Sequence, residues 1–420
     1  MSILDDLLPQ LRQTNWRRGT LARRLFGAGK RDLRELCQML MDSDGEYSSL
    51  VLSERVFAAY ESLEDEGRLD FFRFLNDELD LDTESLKPLA AKYAAERSVA
   101  NLRALTFAAE PRRQELFRRL NLIPGGTSRL VRMREDLLTL GRQDPALLCA
   151  DVDFRHLFSS WFNRGFLSMQ PVDWTTPAHI LEKIIAYEAV HEIQSWNELR
   201  RRLEPADRYC FAFFHPAMED EPLVFVEVAL TTEMPASIGD ILLGDREVIN
   251  PDEATCAVFY SISNCHRGLA GISFGNFLIK QVAMRLQQAF PDLKSFVTIS
   301  PAPGFRHWLE SRNDEAANSL LKNPEPDRAS LLAEAARYYL EAKTSNGSPV
   351  DPVARFHLKN GAKLDRLNHD ADPSDKGRQQ ALGLMVNYVY DLSKVEENHE
   401  NYMRNHKVVC SSRVRKLLPD

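Results

Sequence analysis

The stretch 254–308 constrains the fold more than any other part of this chain, because strand, turn and helix signals follow one another within it. Residues 257–263 are rich in β-branched and aromatic side chains and predict a buried strand. A turn with three glycines follows: Gly268, Gly271 and Gly275. Apolar residues then recur at helical spacing and predict a helix that ends before Pro291: Phe277, Leu278, Val282, Leu286 and Phe290. Residues 295–299 predict a second buried strand.

This order of elements is typical of a ligand site in an α/β protein. Glycines in such a turn let backbone N–H groups approach a phosphate, and the N-terminus of the following helix adds partial positive charge. The second strand delivers Ser300 into the same crevice, and Pro301 and Pro303 restrict the backbone around it. An ordinary tight turn followed by an ordinary serine remains the alternative, because scattered glycines after a strand are weak evidence by themselves.

Length and composition indicate a soluble protein of two domains. The chain has 420 residues, of which 44% are apolar and 27% are charged. It contains no run of about 18 apolar residues, so we expect no membrane partner. The first residues lack the apolar core of a secretion signal, which predicts a cytoplasmic location. A net charge of −8 argues against nucleic-acid binding.

The cysteines and histidines do not suggest a disulfide framework or a metal site. The six cysteines include no C-x-x-C pair and are expected to be reduced thiols of a cytosolic protein. The ten histidines show no ligand spacing such as H-x-x-x-H. We therefore expect no metal ligand among the functional residues.

The two halves of the chain differ in their patterns, which predicts a helical domain over 1–168 and a mixed α/β domain over 169–420. In the first half a helix is expected to start at Thr127-Ser128, after the breaker at 124–126. Bundles of this kind commonly serve as scaffolds or oligomer contacts. In the second half, 208–214 and 223–230 read as an antiparallel pair of strands, and 383–390 reads as the last strand.

Five motifs in the second half resemble the malonyl-CoA decarboxylase family. They are F-Y-S-I-S (259–263), G-L-x-G-x-x-x-G-x-F-L-I-K (268–280), S-P-x-P-G-F (300–305), P-V-x-x-F-H-L-x-N-G-A (352–362) and G-L-M-x-N-Y-x-Y (383–390). The resemblance implies an α+β protein, in which an N-terminal all-α helical bundle precedes a mixed α/β catalytic domain with the GNAT acetyltransferase fold. It also implies a homotetramer that converts malonyl-CoA to acetyl-CoA and CO2 without a metal or organic cofactor.

The resemblance places the catalytic residues on Ser300 and His357, with Tyr390 close to the histidine. It places the coenzyme A phosphate loop on a run of seven residues: Ala270, Gly271, Ile272, Ser273, Phe274, Gly275 and Asn276. Further possible contacts are Ser261, His266, Arg267 and Asn387.

These residue types suit a decarboxylation. Ser300 would orient the substrate, and His357 would protonate the carbanion, because the unperturbed pKa of histidine lies near the working pH. We expect Tyr388 and Tyr390 to lie on opposite faces of the last strand, so that only Tyr390 reaches the site.

Several alternatives stay open at this point. His357 alone could be a core histidine bonded to the backbone, and Ser261 could simply belong to a strand. A solvated turn would equally explain His266 and Arg267. Ser300 could form an acyl-enzyme, although no G-x-S-x-G elbow surrounds it. The whole chain could be a coenzyme A-dependent acyltransferase of the same fold, or a sensor that binds acyl-CoA without turnover.

Overall fold

The structure is a computed structural model, which describes residues 32–244, 246–272, 278–312, 314–323 and 326–418. These residues form two compact units. The first contains the described residues up to Leu167, together with 215–219 and the described part of 266–273. The second contains 168–214, 220–265 and the described residues from 278 onward.

The first unit is helical, as predicted for the N-terminal region. Its helices are α1 Leu33–Met41, α2 Glu46–Glu61, α3 Asp65–Asp77, α4 Thr83–Ala95, α5 Val99–Ala108, α6 Arg112–Asn121, α7 Gly126–Leu140 and α8 Cys149–Trp161. Helix α7 begins one residue before the predicted start, since Gly125 takes a left-handed conformation with φ +72° and turns the chain into it. Aromatic side chains fill the core, where the Phe117 and Phe154 rings stack with centroids 4.1 Å apart.

The second unit is built on one mixed sheet. Its strands are β1 Ser168–Val172, β2 Arg208–His215, β3 Met218–Thr231, β4 Cys256–Asn264, β5 Ser295–Thr298, β6 Ser300–Pro301, β7 Lys363–Asn368 and β8 Met385–Tyr390. The strand order is β1-β2-β3-β4-β5-β8-β6, and β7 also pairs with β8. The α+β prediction is therefore confirmed, and the predicted strands correspond to β2, β3, β4, β5 and β8. The predicted 295–299 runs one residue past β5, and the predicted 383–390 starts two residues before β8.

The helices of this unit are α9 Ala178–Tyr187, α10 Trp196–Leu203, α11 Gly239–Leu242, α12 Leu278–Ala289, α13 Phe305–Arg312, α14 Glu315–Lys322, α15 Arg328–Leu340, α16 Pro352–Lys359, α17 Asp375–Ala381, α18 Val395–Asn405 and α19 Ser412–Arg415. Helix α12 buries four of its residues: Ile279, Val282, Ala283 and Leu286. Of the predicted apolar side, Val282 and Leu286 are therefore buried and Leu278 is half-buried. Phe290 lies just beyond the end of the helix, and Phe277 lies outside the described residues.

A gap opens where the parallel strands β4 and β5 part. They pair from Cys256↔Ser295 to Phe259↔Thr298, and β4 then continues to Asn264 without a β5 partner. Beyond β5 the chain turns away from β4, and Ser300 pairs with Val386 of β8. The end of β4 and the 299–301 segment consequently face each other across a cleft.

Candidate active site

The cleft between β4 and the 299–301 segment encloses a cavity of about 240 Å³. Its lining is mostly apolar: Val190, Phe259, Tyr260, Ile262, Asn264, Ile299, Ser300, Pro301, Pro352, Val353, Phe356 and His357. Ser300 and His357 are 57 residues apart in the chain and meet on this wall. The cavity therefore brings together the two residues predicted to be catalytic.

Helix α16 positions His357, and its two ends explain why the helix forms there. The Asp351 side chain accepts the Ala354 N–H at 2.6 Å, and Pro352 occupies the first helical position, where no N–H is needed. At the other end, Gly361 adopts φ +81°, and the Ala362 N–H donates to the His357 carbonyl at 3.0 Å. His357 lies in the last turn with only 3% of its surface exposed.

A chain of hydrogen bonds links four side chains at this wall. Ser300 Oγ lies 3.1 Å from His357 Nε2, and the Tyr390 hydroxyl lies 2.7 Å from His357 Nδ1. Ser300 Oγ also donates to Thr298 Oγ1 at 2.9 Å. A neutral imidazole carries one N–H, so Tyr390 donating to Nδ1 would place that proton on Nε2, facing Ser300. These hydrogen bonds can therefore keep a proton on His357 Nε2, beside Ser300 at the wall of the cavity.

Burial changes the charge states expected for this chain. It lowers the pKa of His357 to about 3 and raises the pKa of Tyr390 well above its usual value. His357 is therefore neutral at the working pH, and Tyr390 keeps its proton. The expectation that His357 titrates near the working pH was wrong, because it took the pKa of a solvated imidazole.

The prediction that only one of Tyr388 and Tyr390 faces the site was also wrong. Residues two apart on a strand point to the same face. The Tyr388 ring stacks on the imidazole of His357 with centroids 4.5 Å apart and an angle of 25°, while the Tyr390 hydroxyl holds Nδ1. Both tyrosines consequently fix the orientation of the imidazole ring.

Two of the possible contact residues have other partners. Ser261 Oγ donates to the buried carboxylate of Glu188 at 2.7 and 2.8 Å, so it holds the loop after α9. The Asn387 amide donates to the Thr298 carbonyl at 2.8 Å and accepts from Arg366 and Asn368. Neither residue lines the cavity.

The glycine turn lies in the helical unit, and only part of the predicted phosphate loop is described. Ala270, Gly271 and Ile272 are placed, whereas Ser273, Phe274, Gly275 and Asn276 lie outside the described residues. Arg267–Leu269 forms a short 3₁₀ turn, and His266 precedes it. The Arg267 side chain is 65% exposed and lies 3.9 Å from Glu135.

Neither a metal-binding cluster nor a membrane-spanning helix is found among the described residues. No group of three or more His, Cys, Asp or Glu side chains there could hold a metal ion. No helix in the same residues combines the length and the apolar character needed to cross a membrane.

Sequence reasoning missed three residues around the site: Thr298, Tyr388 and Glu188. The alternation of side chains along a strand could have revealed Tyr388 from Tyr390 and Thr298 from Ser300. Glu188 gave no such signal, because it lies 73 residues from Ser261 and reaches it only through the fold.

Two family models together match most of the chain from residue 79 onward. Residues 165–420 match the model described as the malonyl-CoA decarboxylase C-terminal domain, and residues 79–162 match the corresponding N-terminal domain. Mitochondrial malonyl-CoA decarboxylase of Anser anser anser is 32% identical over 376 residues, which cover 79% of this chain and 74% of that protein. The enzyme of Rattus norvegicus is 33% identical over 75% of this chain and 72% of its own.

Solved structures agree with the family models. The crystal structure of malonyl-CoA decarboxylase from Agrobacterium vitis is 50% identical, with a TM-score of 0.87, and the match covers 93% of this chain and 100% of that one. The enzyme from Rhodopseudomonas palustris is 48% identical with the same TM-score, over 91% and 98% of the two chains. The chain belongs to the malonyl-CoA decarboxylase family.

Proposed function

We propose that this chain decarboxylates malonyl-CoA to acetyl-CoA and CO2 in the cavity beside Ser300 and His357. The observation that carries the proposal is the hydrogen-bonded chain from Tyr390 through His357 to Ser300, which ends at the wall of a largely apolar cavity. Family membership supports the same reaction, because the relatives are named for it.

The lining of the cavity suits the loss of CO2. No lysine or arginine is among the described residues that line it, so the malonyl carboxylate would meet no permanently charged cation there. A localised carboxylate loses more by leaving water than the enolate does, since the enolate spreads its charge over carbon and the thioester oxygen. Breaking the C–C bond leaves its electron pair in that enolate, and CO2 departs.

Ser300 would orient the scissile bond, and His357 would protonate the carbanion. The Ser300 hydroxyl would give up its bond to Thr298 and donate its one hydrogen to the carboxylate or to the thioester oxygen, and so hold the scissile bond out of the thioester plane. The arriving carboxylate would favour the charged imidazole, so His357 would take up a proton as the substrate binds. The proton taken up would bind Nδ1, and the proton on Nε2 would pass to the carbanion. The ring would then be neutral with its proton on Nδ1, where the Tyr390 oxygen can accept it.

The phosphates of coenzyme A would bind at the turn formed by Ala270, Gly271, Ile272 and the residues up to Asn276. Gly271 supports this role, because its φ of +76° is a conformation that residues with a side chain rarely adopt. His266 and Arg267 would lie close to the same phosphates, since they directly precede the turn. We place Ser261 and Asn387 outside the substrate site, because both are committed to other protein groups.

No metal or organic cofactor is needed for this reaction, on chemical grounds. The thioester carbonyl itself receives the electron pair of the broken bond, as a metal or an iminium group would in other decarboxylations. We propose that the enzyme works with its own residues alone.

The pH dependence should reflect the lowered pKa of His357. In the enzyme without substrate the pKa of His357 is about 3, so the protonated fraction falls steadily above that pH. We therefore expect log kcat/KM to fall as a straight line between pH 5.5 and 8, by up to about tenfold in kcat/KM per pH unit, without an inflection near 6.5. Steady-state kinetics in buffers of constant ionic strength measure this. A flat line would remove proton uptake from the mechanism, and an inflection near 6.5 would contradict a buried, neutral ring.

Product analysis tests the reaction itself. Purified protein incubated with malonyl-CoA, without added metal, should release acetyl-CoA and CO2 in equal amounts. Transfer of the malonyl group to an amine or alcohol, with no CO2, would identify an acyltransferase instead. Tight binding without either product would identify a sensor.

We also propose that the chain forms a homotetramer through its helical unit, in the cytoplasm. Helix α4 buries none of its residues, and α5 exposes three large apolar side chains: Val99, Leu102 and Phe107. Exposed apolar faces of this kind are typical of contacts between proteins, and a second copy of the chain would cover them. The six cysteines are all unpaired, which suits a reducing compartment. The mass in solution tests the first proposal and cell fractionation tests the second.

A further inference from the structure

Arg155 of helix α8 is an exposed arginine that has no partner in the described part of the chain. Its neighbours explain why. Asp151, one helical turn earlier, accepts a hydrogen bond from Arg134 at 2.7 Å. The carboxylate that would usually pair with Arg155 along its own helix is therefore bonded to another arginine.

The guanidinium of Arg155 lies against the glycine turn. A Cβ atom built on Gly271 would lie 3.8 Å from Arg155 Nη2 and 3.9 Å from both Cζ and Nε. The N–H of Gly271 has no acceptor among the described residues, and Gly271 is exposed. An unpaired backbone donor and an unpaired cation therefore stand side by side at the surface.

The turn is held firmly enough to present these two donors together. The Gly268 carbonyl accepts a hydrogen bond from Arg134 Nη1 at 2.6 Å. A Cβ atom on Gly268 would come within 1.9 Å of the Val131 carbonyl oxygen, so the turn rests directly on α7. Arg134 is itself buried and anchored by Asp151, which makes the helical unit the support for the turn.

We propose that Arg155 binds a phosphate group of the coenzyme A nucleotide, together with the Gly271 N–H. A phosphate carries the charge and the several acceptor oxygens that a guanidinium and a backbone N–H can share. This inference rests on the proposed function, which puts the nucleotide at this turn. It adds Arg155, which lies outside the turn itself, to the groups proposed to bind coenzyme A.

The test compares Arg155→Ala and Arg155→Lys with the unaltered enzyme on malonyl-CoA, malonyl-dephospho-CoA and malonyl-pantetheine. We expect Arg155→Ala to raise KM for malonyl-CoA about tenfold with little change in kcat, as fits the loss of one exposed charge-assisted contact. The lysine variant keeps the charge and should lose about threefold or less. The control is Arg142→Ala, since Arg142 is another exposed, unpaired arginine, just past the end of α7.

The substrates identify the group that is bound. With malonyl-pantetheine, which has no nucleotide, Arg155→Ala should match the unaltered enzyme, and this also shows that the variant is folded. A defect that disappears with malonyl-dephospho-CoA assigns Arg155 to the 3′-phosphate, and one that persists assigns it to the pyrophosphate. An unchanged KM for malonyl-CoA, or an equal loss with malonyl-pantetheine, would overturn the inference. Absence of decarboxylation by the unaltered enzyme would instead overturn the proposed function.

Discussion

Replacing Ser300 by alanine or His357 by asparagine should lower kcat for malonyl-CoA by about 100-fold or more, the usual scale for a lost proton donor or oriented hydrogen bond. Ser300→Ala removes the hydroxyl of a residue that lines the cavity, and His357→Asn removes the imidazole whose Nε2 lies 3.1 Å from that hydroxyl. Release of CO2 at saturating malonyl-CoA measures both effects.

Stability must be separated from catalysis in this experiment. The thermal midpoint of each variant is compared with that of His307→Asn, which changes a histidine whose side chain is 90% exposed. His307→Asn should leave both kcat and the midpoint unchanged. If both site variants keep more than a tenth of the activity while folded, the assigned roles of Ser300 and His357 are wrong.

Gly361→Ala should be among the most destabilising single-methyl additions in this chain. Its φ of +81° costs an alanine about 1–2 kcal/mol, and the new Cβ would lie 2.1 Å from the Val395 carbonyl oxygen, so backbone must move as well. We expect a loss of about 3 kcal/mol in the free energy of unfolding, measured by urea denaturation. Activity should fall too, because Gly361 ends the helix that carries His357.

Gly347→Ala provides the matched control for this strain. Gly347 has a similar φ of +83°, but the nearest atom to its added Cβ is a side-chain carbon of His406 at 3.5 Å, an ordinary contact. It should cost about 1 kcal/mol, from backbone conformation alone. Equal losses in the two variants would show that the approach of Gly361 to Val395 does not matter.

Much of the sheet could be predicted from local patterns, and part of it could not. Strands β4, β5 and β8 are apolar and bounded by turn residues, so their sequences indicate them directly. Strand β7 reads Lys-Leu-Asp-Arg-Leu-Asn, and its polar residues gave no strand signal. It becomes a strand because it pairs with β8 along Lys363–Asn368, a tertiary effect that no local window contains.

The candidate site, too, could be predicted from the sequence only in part. Motifs indicated Ser300 and His357, but only the fold shows that Oγ and Nε2 approach to 3.1 Å. The neutral state of His357 could not be predicted either, because desolvation depends on everything packed around the ring. The wrong prediction for Tyr388 could have been avoided from the sequence, since strand geometry alone places Tyr388 on the same face as Tyr390.

Above all, we propose that Ser300 and His357 act as one hydrogen-bonded unit on malonyl-CoA. A double-mutant cycle on kcat tests this most directly, with Ser300→Ala, His357→Asn and the double variant measured beside the unaltered enzyme. If the two residues act together, the double variant should be no more than a few-fold slower than the slower single variant. If the two losses multiply, to about 10,000-fold or more, the residues act independently and the account is contradicted.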